Sequence, residues 1–234
     1  MGGVDASIES YPYQVSITRK IDYSVLFCGG TIISPYFVLT AAHCLDSDKP
    51  WFYKVRSGST FRRRGGTIHN VTQVIKHKYF KVLDDNIRAE NDIGIVRLTE
   101  PFIYDSTCQA IGLFEVYQLI PISATGVVTG WGKKISGLFS AKLQVLTLPI
   151  LDTNICHKVY YNYGGIRGGQ ICAGDLNNGL KNICHGDSGG PLVVKGRLAG
   201  IASWVGEPCG SSNTPAVFTD ITKYRPWIKY FTNI

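Results

Sequence analysis

The 234-residue chain is 44% hydrophobic and 18% charged, with 24 basic against 17 acidic side chains and a net charge of +7. Disorder needs low hydrophobicity with high charge, so it is excluded. The 26 glycines keep no period of three, which excludes collagen. No apolar run approaches the roughly 18 residues of a membrane span, so no membrane partner is expected.

In chain order, short apolar stretches rich in Val, Ile, Thr and Tyr fall at 13–18, 31–39, 67–75, 93–98, 126–129, 144–150, 191–194 and 198–203. Turn residues separate them. Many short strands punctuated by turns point to an all-β barrel or sandwich. No repeat is visible, which disfavours a propeller or solenoid. At the end, Tyr224, Trp227, Ile228 and Phe231 follow the spacing of one helical face, with Pro226 expected in the first turn. No linker divides the sequence, so 1–234 reads as one domain.

The basic excess is spread along the chain, except for Arg62-Arg63-Arg64 in a loop. Three residues do not make the interleaved basic and aromatic surface of a nucleic-acid binder, and no nucleic-acid partner is expected. The triplet fits equally a solvated loop or a cleavage point. Seven cysteines, with no CxxC pair, suggest disulfides and an oxidising compartment, with one thiol over. Asn70-Val71-Thr72 is a glycosylation sequon. Met1-Gly2-Gly3-Val4-Asp5 has no basic head or apolar stretch, and reads as a mature fragment with an added start methionine.

Three segments carry chemistry. They are Leu39-Thr40-Ala41-Ala42-His43-Cys44, Asn91-Asp92-Ile93-Gly94-Ile95-Val96 and Gly186-Asp187-Ser188-Gly189-Gly190-Pro191. Singly, each has a bland reading: a structural histidine, a turn aspartate, a loop serine. Together they supply acyl transfer. A serine hydroxyl needs an adjacent base. Histidine has the right basicity and needs a carboxylate to fix its tautomer. Glycines around the serine let backbone N–H groups converge on a developing oxyanion.

With Tyr11-Pro12-Tyr13-Gln14-Val15-Ser16, Phe27-Cys28-Gly29-Gly30-Thr31, Thr129-Gly130-Trp131-Gly132, Ile171-Cys172-Ala173-Gly174 and Ser203-Trp204, these segments resemble the chymotrypsin/trypsin-like serine proteases. The resemblance implies an all-β fold of two six-stranded antiparallel β-barrels, roughly 14–110 and 114–220, with a C-terminal α-helix at roughly 223–232. It implies a secreted serine endopeptidase with His43 as base, Asp92 orienting it and Ser188 as nucleophile. The N–H groups of Gly186 and Ser188 would form the oxyanion hole. The cysteines would pair as Cys28–Cys44, Cys156–Cys172 and Cys184–Cys209, leaving Cys108 as a buried strand thiol. Polypeptide substrates and protein protease inhibitors are the implied partners, with a monomer as the default and no cofactor.

By the same resemblance Asn182 is the floor of the specificity pocket, where trypsins carry Asp, and Ile183 follows it. Val205 and Ala216 stand at wall positions that are usually glycine. This pattern is similar to elastases and implies cleavage after small apolar residues, with a chymotrypsin-like pocket as the alternative. Ser203, Trp204 and Val205 would line the substrate strand. Tyr36, Tyr53 and the loop 78–90 are candidates for extended subsites. Family members begin with two apolar residues before Gly-Gly, and the new ammonium pairs with the carboxylate matching Asp187. Here the chain is one residue short, so Asp187 is expected to turn away or its loop to loosen, leaving a zymogen-like enzyme. The stretch 59–70 lacks Asp and Glu, so calcium, or any metal, is not expected there. The competing class is a non-catalytic homologue acting as a binding module; a glycan or nucleic-acid binder rests on charge alone.

Overall fold

A computed structural model describes residues 1–21, 24–83, 88–176, 181–211 and 214–234. Some strands, such as Tyr53–Ser57, alternate buried and more exposed residues, whereas Pro191–Val194 and Ala216–Asp220 are buried throughout, and two rings of antiparallel strands result. The first closes in the order Gln14–Ile21, Ser24–Ile32, Phe37–Thr40, Gly94–Leu98, Thr67–Lys76, Tyr53–Ser57. The second runs Gln144–Leu151, Thr125–Gly130, Pro191–Val194, Arg197–Trp204, Ala216–Asp220, Gln170–Ala173, and closes where Ile150 faces Ala173. Each ring has six strands, as expected. The short strand Val4–Asp5 adds to the second ring beside Val145, so the start of the chain lies on the second barrel.

The stretch 31–39 is not one strand. It is the end of Ser24–Ile32, a turn, and Phe37–Thr40. Gly29 and Gly30 interrupt the apolar pattern before it because the barrel is tight there. A Cβ on Gly30 would stand 2.8 Å from Val38 Cγ1 and 3.0 Å from Val15 Cγ2. Residues 53–57, 170–173 and 216–220 are strands that the apolar pattern did not single out.

The terminal helix spans Ile221–Thr232, capped by the Asp220 carboxylate, which accepts from the Thr222 N–H. Ile221, Tyr224 and Ile228 pack with Leu39, Ile93 and Ile95 of the first barrel and with Val193, Leu198 and Ile201 of the second. Full burial of one such aliphatic side chain stabilises by about 1.5–3 kcal/mol. Phe231, expected on this face, is 37% exposed. Pro226 lies inside the helix rather than in its first turn. Proline cannot donate to the carbonyl one turn back. That carbonyl, of Thr222, accepts instead from the Tyr117 N–H at 3.1 Å.

Cys108 is a buried free thiol in the first-barrel core, in an isolated bridge with Asp105 rather than a strand; burial pushes its pKa up. Tyr53 is fully buried, its hydroxyl donating to Asp46 Oδ1 at 3.1 Å and to the Ser47 carbonyl at 3.0 Å. It therefore shapes no subsite. Among the described residues no helix is long and apolar enough to cross a membrane.

Candidate active site

His43 sits on the 3-10 turn Ala42–Cys44, just past the strand Phe37–Thr40. A Cys28–Cys44 disulfide ties that turn to the strand Ser24–Ile32. Asp92 immediately precedes the strand Gly94–Leu98, and Thr40 faces Gly94 in the ladder. Neighbouring strand ends therefore deliver both residues. His43 Nδ1 lies 2.7 Å from Asp92 Oδ2, and the His43 backbone N–H donates to Asp92 Oδ1 at 2.9 Å.

Asp92 is 1% exposed and takes a third donor, the Ser203 hydroxyl, at 2.6 Å. Burial alone pushes its carboxyl up, but the His43 charge and these donors outweigh burial and hold it below the ordinary value. Burial likewise pushes His43 down, and the Asp92 charge and hydrogen bond reverse this, holding the imidazole above its ordinary value. Ser203, assigned from the sequence to the substrate strand, thus also braces the carboxylate. Tyr224 of the terminal helix donates to Asn91 Oδ1 at 3.0 Å, fixing the residue before Asp92 from behind.

Ser188 comes from the turn before the strand Pro191–Val194 of the second barrel. The Gly29 N–H donates to its carbonyl at 2.8 Å across the two barrels. Gly189, with φ +77°, must be glycine: a Cβ there would stand 2.2 Å from Thr40 Oγ1 and 2.6 Å from the Gly29 carbonyl oxygen. The backbone N–H groups of Gly186 and Ser188 have no hydrogen-bond partner among the described residues. A pair of unpartnered N–H groups beside a hydroxyl can accept an oxyanion.

His43 and Ser188 share a cavity of about 210 Å³ with Ile183, Ser203, Trp204 and Val205. No hydrogen bond joins His43 to Ser188; in substrate-free sites this contact often tightens only on complex formation. The cavity also takes in Val82, Ala89, His185 and Glu207, which the motifs did not point to. His185 Nε2 lies 2.9 Å from Glu207 Oε1. Val82 and Ala89 face each other where the expected loop 78–90 forms two short antiparallel strands, Lys81–Val82 and Ala89–Glu90; residues 84–87 lie outside the described residues.

Asn182 and Ala216 do not reach this cavity. Asn182 spends its side chain locally, donating to the Thr214 carbonyl at 2.6 Å and accepting from the Ile183 N–H at 2.9 Å. Ala216 is fully buried, in one apolar cluster with Ile183 and Val205.

Asp187 does not turn away. Its Oδ1 accepts from the Gly132 N–H at 2.8 Å and its Oδ2 from the Cys184 N–H at 3.1 Å. Burial pushes its carboxyl up, opposed by the charge of the nearby Met1 ammonium and by these two donors. That ammonium donates to the Asn182 carbonyl. Of the two expected outcomes the turned-away carboxylate is not seen, because backbone donors satisfy it where it stands. A cavity of about 300 Å³ stays open beside Met1, bordered by Gly130, Gly132 and Asp187.

The remaining disulfides are Cys156–Cys172 and Cys184–Cys209. The two groupings of His with Cys, at 28/43/44 and 184/185/209, have their sulfurs in disulfides and offer no thiolate to a metal.

Comparison with known proteins agrees with this geometry. The family model described as Trypsin matches residues 1–228. Vitellin-degrading protease of Bombyx mori is 37% identical over 229 residues, 97% of this chain and 83% of its own length. Trypsin epsilon of Drosophila erecta is 38% identical over 233 residues, 98% of this chain and 86% of its own. Among solved structures, neuropsin, a serine protease expressed in the limbic system of mouse brain, superposes with a TM-score of 0.85 at 30% identity, covering 98% of each chain. A scabies mite inactivated protease paralogue superposes at 0.87 with 27% identity, covering 100% of this chain and 97% of its own. With its model match running nearly end to end, the chain belongs to the trypsin family.

Proposed function

We propose that this protein is a secreted serine endopeptidase acting through His43, Asp92 and Ser188. The observation that carries this reading is the buried Asp92 carboxylate held 2.7 Å from Nδ1 of His43, which lines one cavity with Ser188. With Nδ1–H donated to Asp92, Nε2 is left to accept the Ser188 proton as Oγ attacks a peptide carbonyl. The oxyanion forms against the Gly186 and Ser188 N–H groups. His43 then protonates the leaving amine, and water resolves the acyl-enzyme by the same steps in reverse order. The relatives named as trypsins support a proteolytic reading, and the disulfides support secretion. Polypeptides are the substrates, protein protease inhibitors are candidate partners, and the working unit is a monomer.

Titration with a serine-reactive phosphonate tests the assignment. Stoichiometric labelling of Ser188, absent in Ser188→Ala, is expected. No labelling favours the binding-module reading, which the likeness to an inactivated paralogue keeps in play. The raised His43 pKa sets the pH dependence. The neutral imidazole is the working form, so kcat/KM rises with pH through a midpoint above 6.5, the ordinary value. A midpoint below that value would contradict the Asp92–His43 coupling.

The pocket reading is for small apolar residues. Ile183 and Val205 stand in the cavity wall while Asn182, neutral and internally bonded, stays behind them. No carboxylate stands at the Asn182 position, and Glu207 in the cavity wall is paired with His185. Val205→Gly is expected to raise kcat/KM for Phe over Ala at the cleaved position by about 10–100-fold, the scale of a few methylenes in an apolar pocket. A chymotrypsin-like preference already present in the unsubstituted protein would defeat this reading.

A further inference from the structure

The Arg62-Arg63-Arg64 loop has no part in the proposed chemistry, yet it is docked beside it. Its Arg62 N–H donates to the Ala141 carbonyl at 3.0 Å, and the Leu143 N–H donates to the Thr60 carbonyl at 2.7 Å. The loop thus lies on the segment 133–143. Arg62 stacks on Phe139 at 5.0 Å and on Phe27 at 5.6 Å from the ring centroids; Lys133 stands 5.7 Å from Phe139, and Arg64 lies 4.0 Å over Phe61.

Among the described residues no carboxylate pairs with Arg62, Arg63, Arg64 or Lys133. The nearby acid, Asp5, is taken by Lys142 at 3.3 Å and Lys134 at 3.9 Å. Stacking fixes a guanidinium plane while leaving its N–H edge able to meet a carboxylate with two parallel bonds. The surface also carries exposed apolar side chains, Leu138 at 71% and Phe139 at 39%.

Phe139 lies against Gly186, beside the cleft. A Cβ on Gly186 would stand 2.8 Å from its ring, and the Lys133 N–H donates to the His185 carbonyl at 2.9 Å. We propose that this cationic and aromatic face is an exosite for an acidic peptide segment carrying apolar side chains, running out of the cleft past Gly186. That the segment belongs to a substrate rests on the protease reading. A uniformly charged polysaccharide would use the cations but leave Leu138 and Phe139 without a partner, so the peptide is favoured.

The test uses the full-length Ser188→Ala protein, which needs no turnover. Fluorescence anisotropy compares a labelled twelve-residue Asp/Glu peptide containing Phe and Leu with its Asn/Gln counterpart. The acidic peptide should bind at least ~10-fold more tightly at ~50 mM salt, and the gain should largely vanish at ~500 mM, where the screening length is a few ångströms. Arg63→Glu with Arg64→Glu should remove the gain, while Lys229→Glu, on the terminal helix, should not. Equal binding of both peptides, or no effect of the Arg63/Arg64 pair, overturns the proposal. Heparin binding without peptide binding also overturns it, in favour of a polysaccharide site. In parallel, hydrolysis of a peptide carrying the acidic segment by unsubstituted protein reads the protease assignment separately. Binding without hydrolysis, by this protein and by the chain extended to begin Ile-Val-Gly-Gly alike, would sink that assignment and leave the exosite standing.

Discussion

Asp92→Asn should lower kcat about 10⁴-fold, the size of effect established for this exchange in the family's triads. The side chain keeps its shape but becomes a neutral amide. Its NH₂ group cannot accept the His43 Nδ1–H bond now made at 2.7 Å, and the charge that raises His43 above its ordinary pKa is lost. Burial then acts alone on the imidazole and pushes its pKa down. The acid limb of the pH profile should therefore move to lower pH even as the rate collapses. Two readouts separate this from misfolding. The melting transition should shift modestly, and residual turnover should keep that lowered acid limb. A variant that keeps more than about a tenth of its activity would mean that Asp92 does not serve His43 in catalysis.

Extending the chain to begin Ile-Val-Gly-Gly is expected to give the other large effect, a gain in turnover. The Met1 ammonium is anchored on the Asn182 carbonyl, beside an open cavity that leads to Asp187. One more residue, with an apolar pair filling that space, would bring the ammonium onto the carboxylate. Breaking a buried ion pair by removing one partner costs about 3–5 kcal/mol. Completing it here should stabilise the ordered turn around Gly186 on a similar scale, up to about 10²–10³-fold in the population able to hold an oxyanion. The gain should appear in kcat, and Asp187→Asn should abolish it. Equal turnover by both chains would show that Gly132 and Cys184 already hold the turn in its working form. Gly130 and Gly132 set a limit on the path: a Cβ on either would fall within 2.5 Å of the Asp187 carboxylate.

The all-β class was legible because short apolar stretches recur along the chain, while the two six-stranded barrels were implied only by the resemblance of the motifs. The strands left unseen show where that signal stops. In Ser24–Ile32 the glycines at 29 and 30 erase the alternation: Val15 and Val38 crowd the space at Gly30 from neighbouring strands, and the Gly190 backbone of the second barrel crowds it at Gly29. Pro226 reads as a helix start, yet it sits mid-helix because a distant N–H, from Tyr117, satisfies the carbonyl it abandons. No local pattern contains that partner.

At the site, the motifs held the chemistry on offer: a histidine, an aspartate and a serine, each bland alone and pointing to one reaction only in combination. Glycines at 186 and 189 were legible for the same reason, since only glycine tolerates the turn. Tertiary structure alone decided the environment. It added the Ser203 hydroxyl as a third donor to Asp92, stood Val205 and Ile183 in front of Asn182, and turned Asp187 inward on two backbone N–H groups. It also laid the arginine loop against Phe139 beside Gly186. The physical reason is common to all four. Desolvation, hydrogen-bond satisfaction and charge pairing depend on what packs within a few ångströms, and those neighbours lie from one to more than a hundred residues away in the chain.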